Sequence, residues 1–392
     1  MRSVRLTDIA YVVTGATPRA DEVDSWGAYM DFVTPSDQRD GVREAIPMRR
    51  LSEVGVERLQ TRVVPEGATL LTCIGSTIGK VTQARGPAVT NQQINSIIAR
   101  PEQVSPAFLY YMVLGWSGGL KRLASGSATP IVNKAQLERT SFQIPSLRKQ
   151  QAIAEVLGAL DDKIAANGTL VATSAHLLDS LFRKTRLGVL GSKTFGEIAE
   201  VGGGGTPSTR NPSFWGGGVL WAVPSDITAL DAPYLEATSR TLTEVGLAAS
   251  SSPLYPAGSI LMTSRATIGA FAVAQTPVAV NQGFIVVRPY CDQLKWWLFH
   301  EMKRLVPEFV NEANGATFLE LPRNHFQKLA VRLPDRSVIA EFDASATEIH
   351  QRCIAATRES RTLAKLRDTL LLPLMDGTLR VKDAVAQVEE VL

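Results

Sequence analysis

Apolar residues recur at alternating spacings of three and four positions in two segments of the chain. In the first segment they are Ile153, Leu157, Leu160, Ile164, Val171, Leu178 and Leu181. In the second they are Ile339, Phe342, Ala346, Ile349, Cys353, Ala356, Leu363 and Leu370. The skipped positions of this alternation are polar, namely Asn167, Ser174, Ser360 and Arg367. Such heptad spacing predicts two long helices that pack lengthwise against one another.

The first long helix is predicted to run from about Arg148 to Arg186, a length of roughly 55–60 Å at 1.5 Å per residue. Ser146 and Asp335 each follow a proline, and we predict that they are the N-caps of the two helices. The second helix is predicted to end at Pro373, because proline interrupts a helix. Two helices of this length in one chain predict a spacer that holds other parts of the chain apart.

The chain contains two copies of one sequence pattern. In order, the segments of the first copy are Leu6–Ala10, Gly15–Pro18, Thr34–Asp37, Pro65–Leu71, Thr77–Gly79 and Val89–Gln92, and they return as Phe195–Ala199, Gly204–Pro207, Val223–Asp226, Pro256–Met262, Thr267–Gly269 and Ala279–Gln282. The offset between the copies stays between 189 (226 − 37) and 191 (256 − 65). A period this long is not that of a solenoid repeat, and it predicts two homologous units.

Each unit is predicted to be a globular part of short strands, broken by Gly and Pro, that is followed by a long helix. Helices are predicted at Phe108–Leu123 and Lys295–Val310, and polar loops at Ser125–Leu137 and Asn314–Phe326. The predicted class is α+β with mixed or antiparallel sheets. We predict globular domains over 1–145 and 191–334, long helices over 146–190 and 335–373, and a tail over 374–392 that ends in a short amphipathic helix.

Composition restricts the function only modestly. The chain has 392 residues, of which 45% are apolar, and a formal net charge of +3, which argues neither for nor against nucleic acid. Cys73, Cys291 and Cys353 form no CxxC pair, which is typical of a reducing cytosol. No signal-peptide core and no apolar run of membrane-spanning length is present. We therefore expect a soluble, cytoplasmic protein.

Motifs for catalysis are weak in this sequence. Gly75–Lys80 is one residue shorter than a phosphate-binding loop, and Val81 replaces the required Ser or Thr. The four histidines show no metal-binding spacing, so we expect no metal site. No acid, base or nucleophile set recurs in both copies. These observations argue against an enzyme.

Side chains that suit the reading of DNA bases recur in both copies. Amides match adenine and Arg matches guanine, so Asn91, Gln92, Asn281 and Gln282 are candidates, although repeated amides also fix turns. Polar positions that differ between the copies are better candidates, because two reading units of different specificity should differ where they read. The remaining candidates are Ser76, Lys80, Arg85, Lys121, Arg122 and Lys134 in the first copy, and Arg265, Lys303, Arg304, Arg323 and His325 in the second. An ordinary solvated surface is the alternative for each cation.

The ordered motifs support a resemblance to a known family. Thr-Pro, Pro-Ser-Asp, Pro-x-Gly, Thr-Ile-Gly and Asn-Gln recur in order, and the run IPSLRKQQAIAEVL from Ile144 is followed by Asp161-Asp162-Lys163-Ile164. Over essentially its whole length the chain resembles the specificity subunit of a type I restriction–modification system. One departure is Asp335–Glu341, which replaces the more typical Ser146–Gln151 and weakens the expectation of equal docking at both helices.

The resemblance implies two tandem target recognition domains, each reading one half of a bipartite DNA site. It also implies that the two long helices form an antiparallel coiled coil that sets the gap and docks methyltransferase subunits, two of them, with restriction subunits joining the complex. S-adenosylmethionine, ATP and Mg²⁺ are then expected on those partners and no cofactor on this chain. The positions expected in the coiled coil and docking surface are Ile153, Leu157, Leu160, Ile164, Asn167, Phe342, Ile349, Leu363 and Leu370.

Three other interpretations stay open at this stage. The chain could be the specificity subunit of a system that only methylates, or a scaffold whose globular parts bind proteins. A fused DNA methyltransferase is a third interpretation, but the Asn/Asp-Pro-Pro-aromatic motif and the glycine motif that it requires are absent from the sequence.

Overall fold

Each copy of the repeat folds into three small sheets. The computed structural model describes residues 1–124, 131–187, 191–314 and 319–391. The elements of the first copy are β1 (Arg2–Arg5), α1 (Leu6–Ile9), β2 (Ala10–Thr14), β3 (Trp26–Val33), β4 (Arg49–Leu51), α2 (Glu53–Arg58), β5 (Thr69–Thr72), β6 (Val81–Gln83), β7 (Ala88–Thr90), β8 (Ile94–Ala99), α3 (Pro106–Ala124), α4 (Lys134–Arg139), β9 (Ser141–Ile144) and the long helix α5 (Leu147–Arg186).

The second copy repeats this arrangement. Its elements are β10 (Gly191–Thr194), α6 (Phe195–Ile198), β11 (Ala199–Gly202), β12 (Trp215–Ala222), α7 (Pro224–Thr228), β13 (Tyr234–Leu235), β14 (Arg240–Leu242), α8 (Glu244–Ala248), β15 (Ile260–Thr263), β16 (Phe271–Ala274), β17 (Val278–Val280), β18 (Phe284–Pro289), α9 (Lys295–Asn311), α10 (Arg323–Phe326), β19 (Ala330–Leu333), the long helix α11 (Arg336–Asp376) and α12 (Val381–Glu389).

Strand order confirms the α+β class with mixed sheets. The first copy has an antiparallel sheet in the order β2-β8-β5-β6, and the second has β11-β18-β15-β16 with β13 added in parallel. The small sheets β4-β3-β7 and β14-β12-β17 each combine one antiparallel and one parallel pair. A two-stranded ribbon, β1-β9 or β10-β19, precedes each long helix. The duplication in the sequence is therefore a duplication of topology.

The chain forms two units, which we call unit 1 (residues 1–167 and 359–392) and unit 2 (residues 168–358). Each unit contains one globular part and portions of both long helices, because the division passes through α5 and α11. The domain boundaries predicted from the sequence differ, because they follow the order of the motifs and keep each long helix as one segment. Those boundaries stay predictions.

The long helices run antiparallel within each unit. In unit 1, Asp161 on α5 pairs with Arg367 on α11 at 2.6 Å, and Asn167 pairs with Glu359 at 2.7 Å, so the numbering falls on one helix as it rises on the other. Their buried apolar positions are Ile153, Leu157, Leu160, Leu363 and Leu370, with Ile164 partly buried. In unit 2, Phe342 and Ala346 are buried with Leu178, and Ile349 packs against the same core. The predicted heptad pattern is confirmed.

Unit 1 buries charge next to this apolar contact between α5 and α11. Arg367 and Asp161 are 3% and 4% exposed, and the Tyr111 hydroxyl donates a 2.6 Å hydrogen bond to the second oxygen of Asp161. The Arg367 guanidinium also donates to the Gly41 carbonyl at 2.9 Å. Burial opposes the charge on Arg367, but the Asp161 carboxylate outweighs that effect and raises the pKa of the guanidinium. Both oxygens of Asp161 and the guanidinium of Arg367 therefore have hydrogen-bond partners within unit 1.

The helix ends differ from the prediction at one place. Ser146 and Asp335 accept the first helical hydrogen bonds, through their carbonyl oxygens, at 2.9 and 3.0 Å. Helix α11, however, continues through Pro373 to Asp376. Proline removes one hydrogen bond there, but Leu374 is fully buried in the core of unit 1, and this packing holds the last turn. The prediction that the helix ends at Pro373 was therefore wrong.

Two predicted loops contain short helices instead. Lys134 begins α4, because Asn133 and Gln136 form a reciprocal capping box with hydrogen bonds of 2.9 and 3.0 Å. Residues 125–130 and 315–318 of the two predicted loops lie outside the described residues. Arg323 begins α10. The capping pair was present in the sequence, but the surrounding polar residues resemble a loop.

Candidate nucleic-acid interface

An exposed threonine–glutamine pair occurs at the same place in both copies. The Thr17 hydroxyl donates to the Gln92 side-chain oxygen at 2.6 Å, and the Thr206 hydroxyl donates to Gln282 at 2.7 Å. Two residues before each threonine is a glycine, Gly15 or Gly204, that closely approaches the backbone of another strand. A Cβ atom at Gly204 would lie 1.9 Å from the Val280 carbonyl oxygen, so no side chain fits there. The two copies therefore present an exposed amide in one local geometry.

The neighbouring asparagines fix the turn between strands. The Asn91 side-chain oxygen accepts from the Gln93 N–H at 3.1 Å, and Asn281 accepts in the same way from Gly283 at 2.8 Å. An amide oxygen that bonds its own backbone two residues on forms an Asx turn. The contacts of Asn91 and Asn281 are thus those of framework residues, which was the alternative to base reading.

Three of the predicted residues come together in one cleft of unit 2. Arg265, Gln282 and Arg323 line a cleft of about 500 Å³ together with Asn324 and the glycine turn at Gly203. Arg265 forms a 2.8 Å ion pair with Glu320, with both side chains more than two-fifths exposed. Arg323 has no ion-pair partner among residues 1–124, 131–187, 191–314 and 319–391. This side of unit 2 therefore joins a guanidinium and an amide, the two groups that read purine edges in duplex DNA.

In unit 1 the corresponding predicted residues have other roles. Ser76 is exposed in the turn after β5. Lys80 donates to the backbone carbonyls of Pro35 and Gln38 at 3.2 and 2.8 Å, so it supports the Pro-Ser-Asp loop. Arg85 bonds one oxygen of Asp31 at 3.0 Å while Arg50 bonds the other, also at 3.0 Å. Since each guanidinium is about half exposed, this pair of cations can still meet a phosphate.

The cations predicted on the helices are tied to carboxylates. Lys303 contacts Asp179 at 3.2 Å, and Arg304 bonds the buried Glu301 at 2.9 Å. The side chains of Lys121 and Arg122, on α3, lie outside the described set. The two remaining predicted cations also have partners, namely Lys134 with Glu138 at 3.6 Å and His325 with Glu312 at 2.8 Å. Each of these groups therefore has a carboxylate partner, as Arg265 does, whereas Arg323 has no ion-pair partner among the described residues.

A repeated stacking pair was missed in the sequence. The guanidinium of Arg49 lies 3.4 Å from the ring centroid of Trp26, and Arg240 lies 3.4 Å from that of Trp215. Both tryptophans precede glycine at equivalent places in the two copies, and this was the signal that could have revealed them. Beside this pair in unit 1, Tyr29 and Met48 are exposed by 56% and 89%. Cationic and aromatic side chains therefore share this surface of unit 1.

The start of α5 contains a buried amide. Gln150 is 1% exposed. Its amide donates to the Pro145 carbonyl at 3.0 Å and accepts from the Ser105 N–H at 3.0 Å. Gln150 therefore ties the first turn of α5 to the residue that precedes α3.

None of the described helices combines the length and the apolar character that a membrane span requires.

Comparisons with known proteins agree with this duplicated arrangement. The model of the type I restriction modification DNA specificity domain matches residues 1–172 and again residues 191–355. The type I restriction enzyme MjaIX specificity subunit of Methanocaldococcus jannaschii is 32% identical over 159 residues, which are 39% of this chain and 37% of that protein. The HindI specificity subunit of Haemophilus influenzae is 24% identical over 188 residues, 47% of this chain and 40% of that protein.

These two matches span less than half the length of either relative. A solved structure covers more. The type I restriction-modification system S subunit from M. genitalium matches 95% of this chain and 96% of its own with a TM-score of 0.61 at 14% identity. A likeness at that identity shows that the two chains share the fold.

Proposed function

This chain belongs to the type I restriction modification DNA specificity domain family, and we propose that it is the DNA-specificity subunit of a type I restriction–modification complex in the cytoplasm. The observation that carries the proposal is that both matched copies combine a globular part with one long helix, and that the two long helices pair in antiparallel orientation. In this proposal the chain is not catalytic. Methylation and cleavage belong to methyltransferase and restriction subunits, which hold S-adenosylmethionine, ATP and Mg²⁺.

The globular parts are proposed to read one half of a bipartite DNA site each. In unit 2 the support is the cleft that joins Arg265, Gln282 and Arg323. An arginine can bond both major-groove acceptors of guanine, and a glutamine can bond adenine in the same way. In unit 1 the support is the surface with Arg50, Arg85 and Tyr29. Cations contribute affinity through phosphates, and base contacts contribute sequence preference.

The paired long helices are proposed to dock two methyltransferase subunits and to set the gap between the half-sites. Once one globular part has bound its half-site, the second contact forms within the same complex, so the two affinities reinforce one another. The gap then follows from the number of helical residues between the two globular parts.

The half-site proposal is tested by coexpressing the chain with its methyltransferase subunit and sequencing the methylated sites in the host DNA. We expect a two-part site. Arg323→Ala should weaken recognition at one position of one half-site by about 1–3 kcal/mol and leave the other half-site unchanged. Lys193→Ala, an exposed cation on β10, is the matched control. Loss of preference in both half-sites, or methylation without a two-part site, would contradict the proposal.

The gap is tested by deleting one heptad from each long helix at facing turns. Seven residues shorten each helix by about 10.5 Å, which corresponds to about 3 base pairs of duplex DNA at 3.4 Å each. The methylated site should therefore keep both half-sites and lose about 3 base pairs of gap. If the original gap persists in a folded variant, the helices do not set it. A chain that only captures proteins, with no methylated site, would favour the scaffold interpretation.

A further inference from the structure

Strand β3 of unit 1 contains a bulge beside its stacked tryptophan. Trp26 and Met30 both pair with Leu51 of β4, so residues 27–29 between them are not matched by that strand. Strand β12 of unit 2 has a bulge of the same length at residues 216–218. Bulges redirect side chains away from the regular sheet and are common next to functional sites. We refer to these two segments as the bulges of units 1 and 2.

The framework that surrounds the two bulges is the same in both units. An arginine stacks on the tryptophan, a hydroxyl caps the short helix that follows β4 or β14, and the aspartate of the Pro-Ser-Asp motif accepts from the backbone N–H before the arginine. The pairs are Arg49 with Trp26, Ser52 with Gly55 and Asp37 with Met48 in unit 1, and Arg240 with Trp215, Thr243 with Gly246 and Asp226 with Ser239 in unit 2.

The side chains attached to this shared framework differ. Unit 1 has Tyr29, Met48, Asp31 and Arg50 where unit 2 has Gly218, Ser239, Leu220 and Thr241, in that order. Tyr29, the third residue of its bulge, is more than half exposed, and Met48 is almost fully exposed. Unit 2 forms the same framework without them. The exposed aromatic and thioether groups of unit 1 are therefore not required by the fold.

The fold does not require glycine at the third bulge position of unit 2 either. Gly216 has a φ of +82°, and a Cβ atom at Gly217 would lie 2.5 Å from the Leu242 carbonyl oxygen, so both positions favour glycine. At Gly218, however, an added Cβ would meet no atom within 4 Å among the described residues, and φ lies outside the left-handed region. The third bulge position can therefore carry a side chain or lack one within the same fold.

Two guanidinium groups lie next to Tyr29 in unit 1. Arg50 donates to the Tyr29 carbonyl at 3.3 Å and to one oxygen of Asp31 at 3.0 Å, and Arg85 donates to the other oxygen at 3.0 Å. Two cations on one carboxylate leave a net positive charge, and both guanidinium groups are about half exposed. This charge favours the phosphate backbone of DNA over an apolar protein surface as the partner of the exposed ring.

We propose that Tyr29 is a specificity-determining residue of unit 1, whose ring contacts a base pair while Arg50 and Arg85 contact phosphates. Unit 2, with Gly218 at this position, makes no such contact. An apolar group distinguishes base pairs in the major groove through the methyl of thymine, so the ring should favour an A·T pair. This inference rests on the proposed function, since it assigns one contact within the half-site that unit 1 reads.

The contact is tested by coexpressing the full chain with its methyltransferase subunit and sequencing the methylated sites in the host DNA. Tyr29→Ala should lower the preference at one A·T pair of one half-site by about tenfold and leave the other half-site unchanged. Tyr29→Phe should keep the preference, because it retains the ring. Tyr11→Ala removes an exposed tyrosine of β2, outside the bulge, and should change neither half-site.

A reciprocal variant tests the bulge position independently. Gly218→Tyr should add a preference for an A·T pair to the half-site that Tyr29→Ala leaves unchanged. If Gly218→Tyr has no effect on that half-site, the assignment of the third bulge position is wrong.

The remaining outcomes separate this inference from the proposed function. A two-part site that Tyr29→Ala leaves unaltered would overturn the inference and leave the proposed function standing. Loss of the preference in Tyr29→Phe would show that the hydroxyl, not the ring, makes the contact. Weaker methylation at all sites with unaltered preference would indicate that the ring contacts a protein subunit, and it would also overturn the inference. The absence of a two-part site with the parent chain would contradict the proposed function itself.

Discussion

Units 1 and 2 attach a long helix to the globular part through equivalent positions with different chemistry. Unit 1 uses Tyr111 on α3, Asp161 on α5 and Arg367 on α11, joined by hydrogen bonds of 2.6 Å. At the repeat offset of 189, unit 2 has His300 and His350 at the first two of these positions and Leu178 at the third, with aromatic rings stacked on the imidazoles. One contact is thus a buried ion pair and the other is mainly aromatic.

This difference shows which part of the repeat the fold requires. Both units keep the buried apolar heptad positions, such as Leu157 in unit 1 and Ala346 in unit 2, and both keep the sheet order. Buried ion pairs stabilise little in net terms, because desolvation offsets the attraction, yet removing one partner is costly. The apolar positions therefore stabilise the helix pair, and the polar groups beside them are free to differ as long as each is satisfied.

The largest effect is expected for Arg367→Leu, which places in unit 1 the residue type found in unit 2. Asp161 keeps Tyr111 but loses its counter-ion while it stays buried. We expect the free energy of unfolding of unit 1 to fall by about 3–5 kcal/mol. Hydrogen exchange with mass spectrometry, which reports each unit separately, measures this loss.

A matched control is Lys365→Leu, which removes an exposed cation two residues away on the same helix. It should change stability by less than about 0.5 kcal/mol. The double variant Asp161→Leu with Arg367→Leu should recover most of the loss, because no charge is then left buried. If Arg367→Leu alone is as stable as the parent chain, the ion pair does not distinguish the two units.

The helices and their contact could be predicted from the sequence because the heptad spacing of Leu157, Leu160 and Leu363 is a local signal with one outcome. Motif order at a constant offset also predicted the duplicated topology. Pro373 shows the limit of a local rule, since the burial of Leu374 keeps the helix intact beyond it.

The polar contacts could not be predicted, because their partners are far apart in sequence. Arg367 was recognised as a polar heptad position, but its partner Asp161 lies outside the predicted heptad positions. The same holds for the candidate site. Arg265, Gln282 and Arg323 were chosen one by one, and only the fold of unit 2 brings them to one cleft. Lys80 carried the same signal and bonds backbone carbonyls instead.

The second expected effect is a selective response of unit 2 to acid. All four histidines lie within residues 168–358, so unit 1 contains none. Burial lowers the folded pKa of His300 and His350 below the ordinary value of about 6.5. Below pH 6.5 the unfolded chain therefore binds protons that the folded chain does not, and stability falls as pH decreases. For His350, whose folded pKa is about 2, the loss at pH 5.5 is about 1.4 kcal/mol, and it is absent above pH 7.5. His300 contributes a loss of the same sign.

The charged and titratable groups that face these rings are Asp179, Lys295, Lys303 and Tyr234. Asp179 has a pKa of about 2, lowered chiefly by its hydrogen bond to His300, so its contribution to stability is lost only at lower pH. Hydrogen exchange at pH 7.5 and 5.5, corrected for intrinsic rates, measures the effect. His350→Phe should remove about 1.4 kcal/mol of the loss between pH 7.5 and 5.5. An equal loss in unit 1 would show that the imidazoles are not its source.

The smallest effect is expected at Asn167, where unit 1 has an amide and the equivalent residue of unit 2 is Ala356. Asn167 is 6% exposed, and its amide donates to Glu359, whose side chain also contacts Lys163 at 3.3 Å. In Asn167→Leu, Glu359 keeps Lys163 and solvent, while the added apolar side chain is buried between the helices. We expect an unchanged fold and a gain of about 1 kcal/mol, or roughly 2–4 °C in melting temperature.

Asn167→Ala separates the two contributions to that gain, because it removes the same hydrogen bond without adding a large apolar group. It should leave the melting temperature of unit 1 unchanged or lower it slightly. A polar residue in a heptad position can fix helix register at some cost in stability. If Asn167→Leu instead lowers the free energy of unfolding by more than about 1 kcal/mol, the amide stabilises the helix pair. The polar contacts of unit 1 would then stabilise it directly, rather than being groups that only have to be satisfied.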